Sequence, residues 1–287
     1  MGELSLQILI EDSLEVFSLP DVYSQISEMI NDPRYTADDM GKVIAKDPGL
    51  SLRLLKIVNS SFYGFQARID TVSRAITIVG IEDLRNLVLA TSVIDKFNNI
   101  PAEVVDMTDF WLRSIHCGLI AKLLAKESSV LHSERLFLTG LLHDLGSLVM
   151  YSKIPDKALE VLLAADYDKR LIGGFEQEII GFTHADVGAA LIKSWGLPES
   201  LYEAVGCYLN PEESLIYKLD AYLLCLASRL TCLAQQDETV EGVLSEFSEQ
   251  SLSIMRLDCE SVNKVMEMVD AEFSQVFELM APNKKFH

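Results

Sequence analysis

The run Leu141-Leu142-His143-Asp144-Leu145-Gly146 sets an imidazole and a carboxylate side by side in an apolar stretch. Such a pair can ligate one divalent metal ion, and a metal-activated water is a hydrolytic nucleophile. A working centre needs further ligands from separate elements, and the chain has five histidines to offer: His116, His132, His143, His184 and His287. His116 stands beside Cys117 on an apolar stretch and reads as a satisfied, half-buried histidine, with a displaced ligand as the alternative. His132 precedes Ser133 and Glu134 and reads as part of a helix cap, and His287 is terminal. No G-x-S-x-G elbow occurs, and adjacency alone does not make His116 the base of a Cys117 nucleophile. The Gly173-Gly174 doublet is isolated rather than a phosphate loop.

The elements that must carry these residues are helices. Apolar residues recur at three and four, and no stretch alternates with period two between hairpin turns. The pattern predicts an all-α protein. Helices are expected from Asp21 to about Ile30, from the Thr36 cap to Lys46, from Asp47-Pro48 to Val58, and on either side of Gly80, over about Val72 to Val79 and Glu82 to Phe97. Asn98-Asn99-Ile100-Pro101 is the clearest break of the first half. A long helix from about Asp106 to Lys126 follows, and the next, from about Ser133 to Tyr151, carries His143 and Asp144. Four more are expected near Asp156 to Ala165, Leu171 to Ile180, Thr183 to Trp195 and Pro198 to Tyr208. After Asn210-Pro211 come a helix from about Glu213 to Gln235, an acidic polar stretch over 236–250, and a last helix near Asp258 to Met280.

Composition bounds the function. The 287 residues are 49% hydrophobic and 23% charged with 15 Gly and 8 Pro, which suits a large buried core. Forty-three acidic against 24 basic residues give a net charge of -19, so nucleic acid and anionic membrane are repelled over most of the surface. From Lys42 to Lys96 eight basic residues face five acidic, a local +3 that leaves -22 elsewhere. A recognition helix in this stretch would be Pro48 to Val58, yet Arg53 and Lys56 are its only basic residues and the rest is a packing stripe, so no nucleic-acid partner is expected. Trp111 and Phe62-Tyr63 read as packing rather than base-stacking platforms. Cys117, Cys207, Cys225, Cys232 and Cys259 form no C-x-x-C pair and are odd in number, which points to reduced thiols. The first residues lack the basic and apolar regions of a secretory signal, and the apolar run Leu215 to Leu233 is broken by Lys218, Asp220 and Arg229. The expectation is a cytoplasmic protein with no membrane partner.

Several blocks together resemble one family. Leu19-Pro20, Lys46-Asp47-Pro48-Gly49-Leu50, Asn59-Ser60-Ser61-Phe62-Tyr63-Gly64, Ala75-Ile76 with Gly80, and Leu84-Arg85-Asn86-Leu87-Val88-Leu89-Ala90 occur in order. Phe110-Trp111, Gly140 to Gly146, Gly181 with His184-Ala185-Asp186-Val187-Gly188-Ala189, and Trp195-Gly196-Leu197-Pro198 continue the series. Over about residues 14–212 the chain closely resembles the HDOD family of bacterial signalling domains, relatives of the HD phosphohydrolases. The resemblance implies an N-terminal helical bundle, 1–100, packed on an HD-phosphohydrolase-like helical subdomain, 101–212, with a C-terminal helical segment, 213–287.

It also implies a test of the ligand positions. Where catalytic HD relatives carry a first histidine, ahead of Ser114, this chain has Arg113, a permanent cation that cannot donate a lone pair. His143 and Asp144 are retained, but the Lys that often follows the Gly is Ser147. His184 matches a further histidine of metal-binding subfamilies, whereas Cys207 and Tyr208 replace a later histidine pair. The closing Asp falls at Ser228, with Asp220 two turns upstream as the alternative. The implied reading is a relict site that holds no metal and is not an enzyme, with Arg113 expected to pair with Asp144, and with Asp186, in place of an ion. The module then binds a signalling protein partner or a small effector. The alternative is a metal-dependent phosphohydrolase acting on a nucleotide or cyclic dinucleotide, with manganese, iron or zinc at His143 and Asp144.

Overall fold

A computed structural model describes residues 5–14, 17–19, 21–96, 105–131, 133–233 and 238–280, and among them helices are the only regular elements of more than a few residues. The expected break at 98–101, Pro20, His132 and His287 lie outside the described residues. The chain runs α1 (Leu6–Ser13), α2 (Asp21–Ile30), α3 (Ala37–Ile44), α4 (Pro48–Val58), α5 (Val72–Val79) and α6 (Ile81–Lys96). It continues with α7 (Met107–Glu127), α8 (Glu134–Leu142), α9 (Leu145–Lys153), α10 (Pro155–Ala164), α11 (Lys169–Ile179), α12 (His184–Ser194) and α13 (Glu199–Cys207). A 3-10 turn (Pro211–Glu213), α14 (Lys218–Thr231), α15 (Val240–Ser245), α16 (Glu249–Met255) and α17 (Cys259–Met280) complete it.

Local chemistry sets these boundaries. Thr36 and Thr183 form capping boxes with Asp39 and Asp186, and Asp47 caps α4 with Pro48 in its first turn, where a missing N–H costs nothing. Asp106 accepts from the backbone N–H groups of Thr108 and Asp109 at the start of α7. Gly80 separates α5 from α6 at φ 100°, a conformation open to glycine and costly for other residues.

Two compact units result, one of Met1–Ser18 with Ile100–Val269 and the other of Leu19–Asn99 with Asp270–His287. They do not follow the segments 1–100, 101–212 and 213–287. The reason is local: α1 packs on α9 and α12, with Trp195 Nε1 donating to the Phe17 carbonyl at 2.7 Å and Lys153 Nζ to that of Asp12 at 2.6 Å. The smaller unit buries Ile44, Leu50, Leu54, Ile57, Leu84 and Phe277.

In the larger unit α7 is the central strut, with Phe110, Trp111 and Ile115 fully enclosed. It packs along α8 and α14, and α12 lies on α9 and α13. Two glycine contacts bring backbones together. A Cβ on Gly140 would sit 2.6 Å from the Gly118 Cα, and one on Gly146 would sit 1.9 Å from the His184 carbonyl oxygen. The second contact sets the start of α9 against the start of α12, which brings the His143-Asp144 segment and His184 to one place.

Three expectations are corrected, and one helix is added to them. The helix expected over Ser133 to Tyr151 is two, broken at His143-Asp144. The helix expected from Glu213 starts at Lys218, because Glu203 Oε1 accepts from Ser214 Oγ at 2.5 Å and from the backbone N–H groups of Ile216 and Tyr217 at 2.8 and 3.0 Å, holding that segment as a loop. The acidic stretch contains α15 and the start of α16, capped by Thr239 and Ser248. Finally, α1 was not anticipated, although Ser5 caps it by accepting from Ile8 N–H at 3.3 Å.

Candidate functional site

At the α8–α9 break His143 has helical backbone angles and Asp144 has φ -103° and ψ 11°. His143 Nδ1 lies 2.6 Å from the Gly140 carbonyl oxygen. A carbonyl only accepts, so Nδ1 carries the hydrogen and Nε2 keeps the lone pair. Burial pushes the imidazole below its ordinary pKa, and the ring is neutral near pH 7. Asp144 accepts from the Ser147 hydroxyl. Burial pushes its carboxyl up, but the charges of Lys169, His184 and, in acid where it is protonated, His143, with the Ser147 hydrogen bond, together hold it below the usual value.

His184, the first residue of α12, is fully engaged. Nδ1 lies 2.6 Å from Glu176 Oε2, its backbone N–H donates to the same oxygen at 2.8 Å, and Nε2 lies 2.5 Å from the Tyr208 hydroxyl. His184 is 6% exposed and Glu176 4%. Burial lowers the imidazole pKa, but the Glu176 charge and hydrogen bond overcome it and the net shift is upward. Burial among carboxylates sends the Tyr208 phenol well above its ordinary value, so it stays protonated. Its ring meets His143 edge-on at 5.5 Å and His184 at 6.0 Å.

His143, Asp144, His184 and Tyr208 line a cavity of about 530 Å³ in the larger unit, with Arg113, Lys169, Arg170, Arg229, Ser228, Tyr222, Cys225 and Cys232 also on its wall. Arg170 clamps Asp168 with Nε to Oδ1 at 3.0 Å and Nη2 to Oδ2 at 2.6 Å, and Arg229 pairs with Glu246 at 2.5 Å. Lys169 is in no ion pair among the described residues. Arg113, Lys169, Arg170 and Arg229 against Asp144, Glu212 and Glu246 make the lining one charge positive, in a chain of -19. Burial raises the thiols, that of Cys225 to about 11, so neither Cys225 nor Cys232 is a thiolate.

The expected site residues separate. His143, Asp144, His184, Tyr208, Arg113 and Ser228 share the cavity wall, whereas Cys207 and His116 are not on it. Arg113 does not pair with Asp144. It reaches back one turn to Asp109, and Asp186 is occupied capping α12 with Thr183. Asp220 lies elsewhere, 5% exposed and clamped by Arg135 at 2.9 and 3.0 Å. The sequence reading missed Glu176 and Lys169. For Glu176 a signal was present, because a carboxylate four residues after Ile172 falls on the buried face of α11.

Both ring nitrogens of His184 are already bonded, and among the described residues no three His, Cys, Asp or Glu side chains converge as a ligand set.

Among the described residues the fold is all-helical, with the His143-Asp144 pair at the junction of α8 and α9. The HDOD domain model matches residues 16–211, and this chain belongs to the HDOD domain family. An HDOD domain protein of unknown function from Geobacter sulfurreducens superposes with TM-score 0.72 at 20% identity, covering 97% of this chain and 98% of that one. A Shewanella amazonensis SB2B protein, provisionally named a phosphohydrolase, also gives 0.72, at 24% identity over 95% of this chain and 97% of that one. These likenesses show the fold. An uncharacterized protein of Treponema pallidum (strain Nichols) is 28% identical over 213 residues, 69% of this chain but 39% of that protein, so the chain spans well under half of the relative's length. No helix among the described residues is long and apolar enough to cross a membrane.

Proposed function

We propose that this chain is a non-catalytic HDOD signalling module whose cavity binds a small anionic effector. The observation that carries the reading is the closed circuit at His184: Glu176 holds one ring nitrogen and Tyr208 the other, so the group that would complete a metal site is bonded to the protein instead. Removing that circuit from catalysis leaves a cavity of drug-like size whose wall is net positive and whose Lys169 lacks an ionic partner among the described residues. A small acid could take that partner's place and displace water from a wall that also offers Ile172, Leu209 and Phe247.

The competing reading is a metal-dependent phosphohydrolase acting on a nucleotide or cyclic dinucleotide. Metal analysis of protein purified without chelator, run with phosphodiesterase and nucleotidase assays, decides between them. Substoichiometric metal and no turnover are expected, and stoichiometric manganese, iron or zinc with turnover lost in Asp144→Ala would overturn the proposal. Binding is tested by thermal shift with inorganic phosphate, adenosine monophosphate and citrate. A rise in Tm that Lys169→Met abolishes is expected for at least one of them.

A further inference from the structure

Outside the cavity, two surface features carry no role in that reading, and they are complementary. The first is the loop between the 3-10 turn and α14. Leu215 is 91% exposed and Ile216 66%, among the highest values for large apolar residues in the described chain. The loop that bears them is not slack. The Glu203 carboxylate, held below its usual pKa by the Ser214 hydroxyl and backbone N–H groups of this loop despite partial burial, pins it from beneath. A fixed loop that presents two aliphatic side chains loses little freedom when they are buried, which is how interface anchors are built. From Glu199 to Lys218 the segment has four acids against Lys218 alone; Lys218 pairs with Glu212 at 2.6 Å and Glu203 is bonded to the loop, which leaves Glu199 and Glu213, both exposed, as the acidic flank.

The second feature is a groove of about 760 Å³ on the smaller unit. Leu52, Leu55, Phe65 and Leu279 supply apolar wall, and Leu52 and Phe65 are 56% and 38% exposed. It is also built. Asn59 exchanges two 2.7 Å hydrogen bonds with the Ile69 backbone, closing the 60–69 loop, and Ser61 Oγ donates to Gln275 Oε1 at 2.7 Å, tying that loop to α17. Lys56 and Arg68 line it against Asp70, so its lining is one charge positive in a chain of -19.

We propose that the Leu215-Ile216 tip of one copy of this chain docks in the Leu52-Phe65 groove of a second copy. Charge selects this occupant. At -19 overall, two copies repel wherever acidic surface meets acidic surface, and the groove's lining, Lys56 and Arg68 against Asp70, is positive, while the tip carries an acidic flank to match it. Because tip and groove are different surfaces, the contact is heterologous: each copy keeps one free tip or one free groove, and assembly continues head to tail until it closes or stops. Two aliphatic anchors make a weak contact, so assembly rises with concentration and falls with salt.

Sedimentation velocity on the full chain tests this from micromolar to about millimolar concentration, the range of a weak contact. The weight-average sedimentation coefficient is expected to climb with concentration at low salt. Leu215→Ser with Ile216→Ser removes the tip, Leu52→Glu closes the groove with a like charge, and each is expected to abolish the climb. All three positions are exposed, and unchanged circular dichroism and Tm confirm folding. A mixture of tip and groove variants retains one working half of each kind, so it is expected to form a heterodimer and nothing larger. A wild type that stays monomeric throughout, or self-association that survives both variants, overturns the proposal. So does a mixture no different from its components.

Discussion

One carboxylate oxygen, Oε2 of Glu176, receives both the ring nitrogen and the backbone N–H of His184, at 2.6 and 2.8 Å. Glu176 therefore does two jobs. It satisfies an N–H at the start of α12, where helices leave donors unpaired, and it fixes which atom of the imidazole faces Tyr208.

Removing that oxygen's charge has a pH-dependent cost. The His184 pKa is raised in the folded protein, so its contribution is complete below the unfolded value and is lost as pH rises through the folded one. Glu176→Gln is expected to lose about 3–5 kcal/mol, the usual cost of breaking a buried charged pair. Urea unfolding of both proteins at about pH 5.5 and about pH 8.5 should show the larger loss at the lower pH. His143, whose pKa is lowered by burial, titrates with the opposite sign but is common to both proteins and cancels in the difference. An equal loss at both values would show that His184 is not the titrating partner.

The contact between α9 and α12 leaves no room for a methyl group. Gly146→Ala places a Cβ against the His184 carbonyl oxygen, 1.9 Å away without relaxation. Overpacking of this kind costs about 1–3 kcal/mol or more, and chemical denaturation measures it. Because the same contact aligns Asp144 with His184, any anion that binds the wild-type cavity should bind the folded variant more weakly.

Arg135 and Asp220 make the opposite kind of demand. Asp220 is 5% exposed on its side chain and Arg135 supplies both of its hydrogen bonds from a guanidinium. Arg135→Ala should cost about 3–5 kcal/mol by stranding the carboxylate, whereas Arg135→Met combined with Asp220→Leu should recover most of that loss. A double variant as unstable as the single one would place the cost in packing rather than in charge.

Charge in the cavity gives a further test. Asp144 is the carboxylate that feels Lys169 most directly among its charged neighbours. Asp144→Asn removes the negative charge that opposes Lys169 in the cavity, and is expected to tighten binding of adenosine monophosphate or citrate by about tenfold if the effector's acid group occupies the same field. Isothermal titration calorimetry reads the change, and weaker binding in Asp144→Asn would place the acid group elsewhere.

Helices were legible in this sequence because capping residues and Gly80 mark their ends chemically. Thr36, Asp47, Thr71, Asp106 and Thr183 each sit one residue before a helix. The break at His143-Asp144 was not legible, since neither residue is Gly or Pro; it falls beside the close packing of Gly146 on α12, a contact between segments distant in the chain. The same limit applies to the site. His143, Asp144 and His184 could be singled out by residue type, but Lys169 on the cavity wall and Glu176 behind His184 come from another helix, and nothing in their spacing relates them to residues distant in the chain. Arg113 shows the converse: its type suggested a partner across the cavity, while an acid one turn back on its own helix, Asp109, was nearer.

Helix α17 runs unbroken from Cys259 to Met280, yet its first half belongs to one compact unit and its second half to the other. Residues 19–99 leave the ribosome long before the helical turns that complete their core, and Leu6–Ser13 leaves it before the helices it will cover. Neither unit corresponds to a contiguous stretch that could be cut out and expressed alone. A nascent chain therefore carries the 19–99 unit without its closing helical turns until residues 270–280 are made, and truncation after Val269 is expected to destabilise that unit although none of its N-terminal helices is removed.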